Sequence, residues 1–167
     1  MFLVRRIAVC PGSFDPVTYG HIDIFNRASG LFDKVIILVS SNLAKQPMFT
    51  PTERIKMIMD VTSDMDNVVI DILDGLLADY VRDVGACAIV KGLRAVSDFE
   101  YEFQMALANK KLYPDAETVF LTTSTENMYL SSSVVKQIAA FGGDISSFVP
   151  DAIRENIMSR IANVNKI

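Results

Sequence analysis

The chain has 167 residues and 18.5 kDa, with 16 Lys+Arg against 20 Asp+Glu for a formal charge of −4; half its residues are hydrophobic and 22% are charged. That composition fits one globular domain and excludes a disordered chain or a basic duplex-coating nucleic-acid binder. A single histidine, His21, and two cysteines, Cys10 and Cys87, exclude a two-histidine zinc site, a Cys-rich zinc knuckle and a disulfide scaffold.

The start, MFLVRRIAVC, is interrupted by Arg5 and Arg6 too early for a secretory leader. No apolar run approaches the roughly 18 residues of a membrane span. The expectation is a cytosolic chain with no membrane partner. Cys10 and Cys87 lie in the runs IAVC and ACAIV, which read as strands, so both are expected as buried free thiols.

Short Val/Ile/Leu runs alternate with helical stretches along the chain. Strands are predicted at 6–10, 34–40, 68–72, 86–91 and 118–121, each apolar enough to be a parallel strand covered on both faces. Helices are predicted at 20–29, 51–62, 76–84, 98–111, 132–141 and 150–163. Thr50-Pro51-Thr52-Glu53 combines a capping box with proline at the first helical position, and Gly85 and Gly142-Gly143 read as helix stops. This alternation predicts a single-domain, Rossmann-like α/β fold over residues 1–167: a doubly wound sheet of about five parallel strands with helices on both faces. Ligands of such a sheet bind beyond the carboxyl ends of the strands.

The most informative segment runs from Cys10 to His21, CPGSFDPVTYGH. It leaves the first strand, turns through two prolines and two glycines, and enters the first helix. A helix N-terminus there offers unpaired N–H groups to phosphate. Gly12 is expected to let the backbone approach a ligand, Ser13 to add a hydroxyl and an N–H, and His21 to donate a hydrogen bond to phosphate, more strongly if charged. The segment also fits a plain turn followed by a half-buried helix histidine. It contains neither G-x-x-x-x-G-K-[ST] nor G-x-G-x-x-G.

Further along, Lys45 lies past the second strand, and Lys91-Gly-Leu-Arg94 ends the fourth. Two cations around a glycine suit an anion, with Gly92 expected to admit a nucleotide to the backbone; they equally suit a charged strand end. Asp98-Phe-Glu-Tyr-Glu102 opens a helix, where carboxylates also serve the helix dipole. Ser131-Ser132-Ser133 reads as an N-cap cluster or as a triphosphate cradle, with Lys136 one turn on and in reach of a β- or γ-phosphate. Leu76 reads as core.

Thr18-Tyr-Gly-His21 after P-G-[ST]-F-D-P resembles the H-x-G-H-type nucleotidyltransferases. Within them the chain resembles the bacterial phosphopantetheine adenylyltransferase family. KQPMFT at 45–50, KGLRAVSDFEYE at 91–102 and SSSVVK at 131–136 match that family in order and spacing, the second most specifically.

The resemblance implies transfer of the adenylyl group of ATP to 4′-phosphopantetheine, giving dephospho-coenzyme A and pyrophosphate. It implies His21 as transition-state stabiliser, with Ser13, Lys45 and Arg94 also catalytic. ATP contacts are implied for Ser13, Phe14, His21, Gly92, Leu93, Arg94, Glu102, Asn127, Met128, Tyr129, Leu130, Ser131, Ser132 and Ser133. Contacts with the second substrate are implied for Ser13, Lys45, Leu77, Lys91 and Asn109. Lys91 stands where the family usually has arginine, and Asn127 where an aromatic residue is common.

Mg²⁺ is expected on the ATP phosphates, with no ligand from protein side chains. The resemblance further implies a cytoplasmic homohexamer and feedback inhibition by coenzyme A. Nicotinate mononucleotide as acceptor, a non-catalytic nucleotide sensor and a hydrolase are the competing readings.

Overall fold

In the computed structural model, which describes residues 5–40 and 47–164, the five apolar runs form one parallel sheet. The strands are β1 (Ile7–Gly12), β2 (Lys34–Val39), β3 (Val68–Ile72), β4 (Ala88–Leu93) and β5 (Glu117–Thr122). The helices are α1 (Tyr19–Leu31), α2 (Pro51–Val61), α3 (Leu77–Asp83), α4 (Val96–Leu112), α5 (Ser132–Ala140) and α6 (Asp151–Val164). A short 3₁₀ turn, Thr125–Asn127, was not expected from the sequence.

Strand order is β3-β2-β1-β4-β5, so the chain first builds outward from β1 on one side and then returns to build outward on the other. Val9 pairs with Ile36 of β2 and with Ile89 of β4, which makes β1 the central strand. The reversal leaves a crevice at the carboxyl ends of β1 and β4, where ligands of doubly wound sheets bind.

Alternation along the strands splits the core in two. Ala8, Cys10, Val35, Ile37, Val39, Ala88 and Val90 face one cluster with Phe25 of α1, Ile58 of α2, Val135 of α5 and Ile157 of α6. Val9, Ile36, Leu38 and Ile89 face the other, with Val81 of α3 and Ala116. The capping box forms as the sequence requires: the Thr50 N–H donates to Glu53 Oε2 at 2.8 Å, and the Glu53 N–H donates to Thr50 Oγ1. Gly85 and Gly142, at φ +64° and +74°, take the left-handed turns that end α3 and α5.

Three expectations are corrected. The edge strand β3 is not covered on both faces: Val69 and Ile72 are exposed. Cys87 is exposed, because it precedes β4 at the sheet rim, with its Sγ 3.5 Å from the Ile7 carbonyl; Cys10 is buried, its thiol pushed up to about 12 by burial. Leu76 is exposed, since it occupies the N-cap of α3 and leaves Leu77 to pack on the second cluster.

Candidate active site

Beyond the carboxyl ends of β1 and β4 lies a cleft of about 510 Å³, within the usual range for small-ligand sites. Its wall starts with the loop after β1. Gly12 is needed there, but for packing: a Cβ would stand 2.6 Å from the Phe14 ring. Phe14 sits at φ +47°, and its buried ring meets His21 edge-on at 5.1 Å and Phe25 at 5.2 Å. Gly12 thus admits the Phe14 ring, and it also lines the cleft.

His21 is the third residue of α1, after the N-cap Thr18. The Thr18 N–H donates to His21 Nδ1 at 3.0 Å, and Thr18 Oγ1 lies 3.0 Å from the same nitrogen. A backbone N–H can only donate, so Nδ1 carries the lone pair and the ring proton resides on Nε2. Burial, and then the charge of Arg94, lower the imidazole from 6.5 to about 4. His21 is therefore a neutral donor through Nε2–H, where the sequence left room for a charged one.

The opposite wall comes from β4 and α4. Lys91 Nζ bonds Glu102 at 3.1 and 3.2 Å, one bond to each carboxylate oxygen. Arg94 grips Asp98 through Nε at 3.0 Å and Nη2 at 3.2 Å, and donates from Nη1 to the Leu130 carbonyl at 2.9 Å. Gly92 is again a packing requirement: a Cβ would lie 2.8 Å from Cγ1 of Ile24 in α1.

The third wall is the N-terminus of α5. Ser131 Oγ accepts from the Val134 N–H at 3.1 Å, which makes Ser131 the N-cap, and Ser132 Oγ donates to the Pro16 carbonyl at 2.8 Å. Lys136 Nζ bonds Asp15 Oδ2 at 2.8 Å.

Among the described residues four cations line the cleft (Arg54, Lys91, Arg94, Lys136) against three carboxylates (Asp15, Asp98, Glu102). An acidic chain has gathered a locally positive cavity between two helix N-termini, a charge arrangement that suits phosphates.

Of the expected site residues, Ser13, Phe14, His21, Lys91, Gly92, Arg94, Glu102, Leu130, Ser131, Ser132 and Ser133 line this cleft together. Lys45 lies outside the described residues. Leu93 ends β4 without reaching the cleft wall. Asn127 packs beside Gly20 and donates to Ser124 Oγ, while Met128 and Tyr129 are exposed on the same loop, outside the wall. Leu77 packs on the second core cluster, and Asn109 is buried in α4.

The structure adds Asp15 and Arg54, buried polar residues that the sequence did not single out. Asp15 stood inside the quoted loop, whereas nothing in the sequence separates Arg54 from an exposed helix arginine. Among the described residues no group of three or more His, Cys, Asp or Glu is placed to hold a metal ion, and no helix is long and apolar enough to cross a membrane.

A sequence model of the cytidylyltransferase-like family matches residues 9–138. A phosphopantetheine adenylyltransferase of Caldanaerobacter subterraneus is 59% identical over 155 residues, covering 93% of this chain and 97% of that protein. One from Rubrobacter xylanophilus is 54% identical, covering 91% and 93%. Among solved structures, a putative nicotinate-nucleotide adenylyltransferase from Vibrio parahaemolyticus superposes with a TM-score of 0.65 at 17% identity, over 93% of this chain and 99% of that one. That last likeness is one of fold.

Proposed function

The chain belongs to the phosphopantetheine adenylyltransferases of the cytidylyltransferase-like family, and from that membership we propose how its cleft carries the reaction. The enzyme transfers the adenylyl group of ATP to 4′-phosphopantetheine and releases dephospho-coenzyme A and pyrophosphate. An oxygen of the acceptor phosphate forms a bond to the α-phosphorus, and the bond from that phosphorus to the bridging oxygen of the β-phosphate breaks. The attacking oxygen is already anionic, so no protein nucleophile is required. What the protein supplies is alignment of two polyanions and stabilisation of charge on the α-phosphate.

The observation that carries the mechanism is the neutral His21 at the start of α1, its Nε2–H fixed by the bond at Nδ1. Nε2–H donates to a non-bridging α-phosphate oxygen as the transition state gathers charge. Ser13 orients the acceptor phosphate. Lys91 and Arg94 exchange their contacts with Glu102 and Asp98 for substrate phosphates, and those carboxylates then face the rest of the ligands. Ser131–Ser133 and Lys136 hold the β- and γ-phosphates, and Lys45 is assigned to the same phosphate binding.

Mg²⁺ carried on the triphosphate would neutralise charge on the leaving pyrophosphate. Before substrate arrives, the three cleft carboxylates are each engaged by a cation. We further propose a cytoplasmic homohexamer subject to inhibition by coenzyme A, a product-like ligand that shares the pantetheine arm.

Pyrophosphate release from Mg-ATP with phosphopantetheine tests the activity, and release only with nicotinate mononucleotide overturns it. His21→Ala is expected to cut kcat about 10²–10³-fold, as loss of a transition-state donor does, while ATP affinity changes far less. Turnover retained within a few-fold removes His21 from this role.

A further inference from the structure

Arg54 is only 1% exposed, yet it bonds through a single nitrogen: Nη1 donates to the Ser13 carbonyl at 2.7 Å and the Ser40 carbonyl at 3.1 Å. Its Nε and Nη2 are buried without a hydrogen-bond partner among the described residues. Buried charged donors left unpaired are costly, so a structure that keeps two of them calls for a physical reason.

The anion whose charge reaches Arg54 is Asp15, itself 5% exposed. Asp15 is already taken. It accepts from Lys136 Nζ at 2.8 Å and from the backbone N–H groups of Met48 and Phe49, each at 2.9 Å. Two cations therefore share one buried carboxylate in the wall of the phosphate cleft, with one positive charge left over. Removing Lys136 takes away the cation in direct contact with Asp15, and leaves it the two backbone N–H groups and Arg54 as its remaining counter-charge beside incoming phosphate.

We propose that Arg54 is the standby counter-ion of Asp15, and so a positioning residue for the transfer. When the phosphates of ATP draw Lys136 away, Asp15 passes to the adjacent Nε and Nη2 donors of Arg54, a fork that matches a carboxylate. Lys136 leaves without stranding a charge, and Arg54 keeps its hold on the Ser13 loop throughout. No covalent step is involved. The inference rests on the adenylyl-transfer reading for the identity of the nucleotide.

The test is a double-mutant cycle between Arg54 and Asp15, read by calorimetric ATP affinity and by KM for ATP against kcat. Arg54→Met is expected to weaken ATP binding about tenfold, the size of a hydrogen bond to a charged group, with kcat less affected. In an Asp15→Asn background the carboxylate to be handed over is absent, so the same substitution loses most of its effect on ATP. If Arg54→Met fails to fold, Arg54→Lys, which keeps the cation and lacks the fork, is compared across the same two backgrounds and is expected to weaken ATP binding only where Asp15 is present. Equal losses in both backgrounds mean that Arg54 only props the loop carbonyls or adds charge, and they overturn the exchange, as does unchanged ATP affinity in the single variants. Calorimetry reads the cycle whether or not pyrophosphate is released. Wild-type protein that binds ATP and releases no pyrophosphate therefore sinks the adenylyl-transfer reading alone.

Discussion

A histidine whose Nδ1 already receives a backbone N–H gains nothing locally from a proton, because protonation would set two donors against each other. At His21 burial and the nearby Arg94 push the same way, and the imidazole falls from 6.5 to about 4. The folded chain therefore resists a proton that the unfolded chain accepts. The contribution of this residue to stability is complete above pH 6.5 and is lost progressively as pH falls toward 4. Because the chain has one histidine, a ¹⁵N spectrum of the imidazole reads the state directly. The free enzyme should show Nδ1 unprotonated, Nε2 protonated, and no titration step between pH 8 and 5.5. A midpoint near 6.5 would remove the fixed tautomer and return the donor role to a mixture of charged and neutral rings.

Between β4 and α1 the fold permits so little room that the residue at 92 has to lack a side chain. Gly92→Ala places a methyl 2.8 Å from Ile24, and overpacking of this kind costs about 1–3 kcal/mol. Since α1 carries His21, the variant should lower both Tm and kcat. Gly30→Ala, also in α1 but with nothing within 4 Å of the new Cβ, should leave both unchanged or raise Tm slightly. Equal Tm values for the two variants would show that the contact carries no load.

The same pair marks what could be read beforehand. Apolar runs and capping signals placed all five strands and six helices within a few residues, because hydrophobic period and cap chemistry are local. Thr18, Gly20 and His21, Lys91 to Glu102, and the three serines were legible as motifs. What Gly12 and Gly92 make room for was not, since Phe14 and Ile24 meet them only in the fold. Arg54 was invisible for a like reason: it lies 41 residues from the Ser13 carbonyl it holds.

Charge and apolar surface are segregated across the whole molecule. The chain carries −4, yet among the described residues the cleft collects four cations against three carboxylates, so anions are drawn to one place on an otherwise repelling body. Elsewhere α4 leaves apolar side chains in water: Val96 is 77% exposed and Leu107 57%, with Phe99 and Phe103 on the same helical face. Phe99 stacks on Phe103 at 5.4 Å and meets Phe120 of β5 at 5.8 Å, so the face is ordered and not a frayed end. Monomeric proteins rarely keep so continuous an apolar face uncovered, and copies of the same chain would cover it in the proposed hexamer. Because α4 also supplies Asp98 and Glu102 to the cleft, packing on its outer face would stiffen the wall that holds Lys91 and Arg94. Light scattering should give six times the 18.5 kDa chain mass at micromolar concentration. Leu107→Glu, harmless in a monomer where the side chain already meets water, should break the particle into smaller species and raise the KM for phosphopantetheine. A wild-type mass of one chain, or a Leu107→Glu variant of unchanged mass, would remove α4 from any subunit contact.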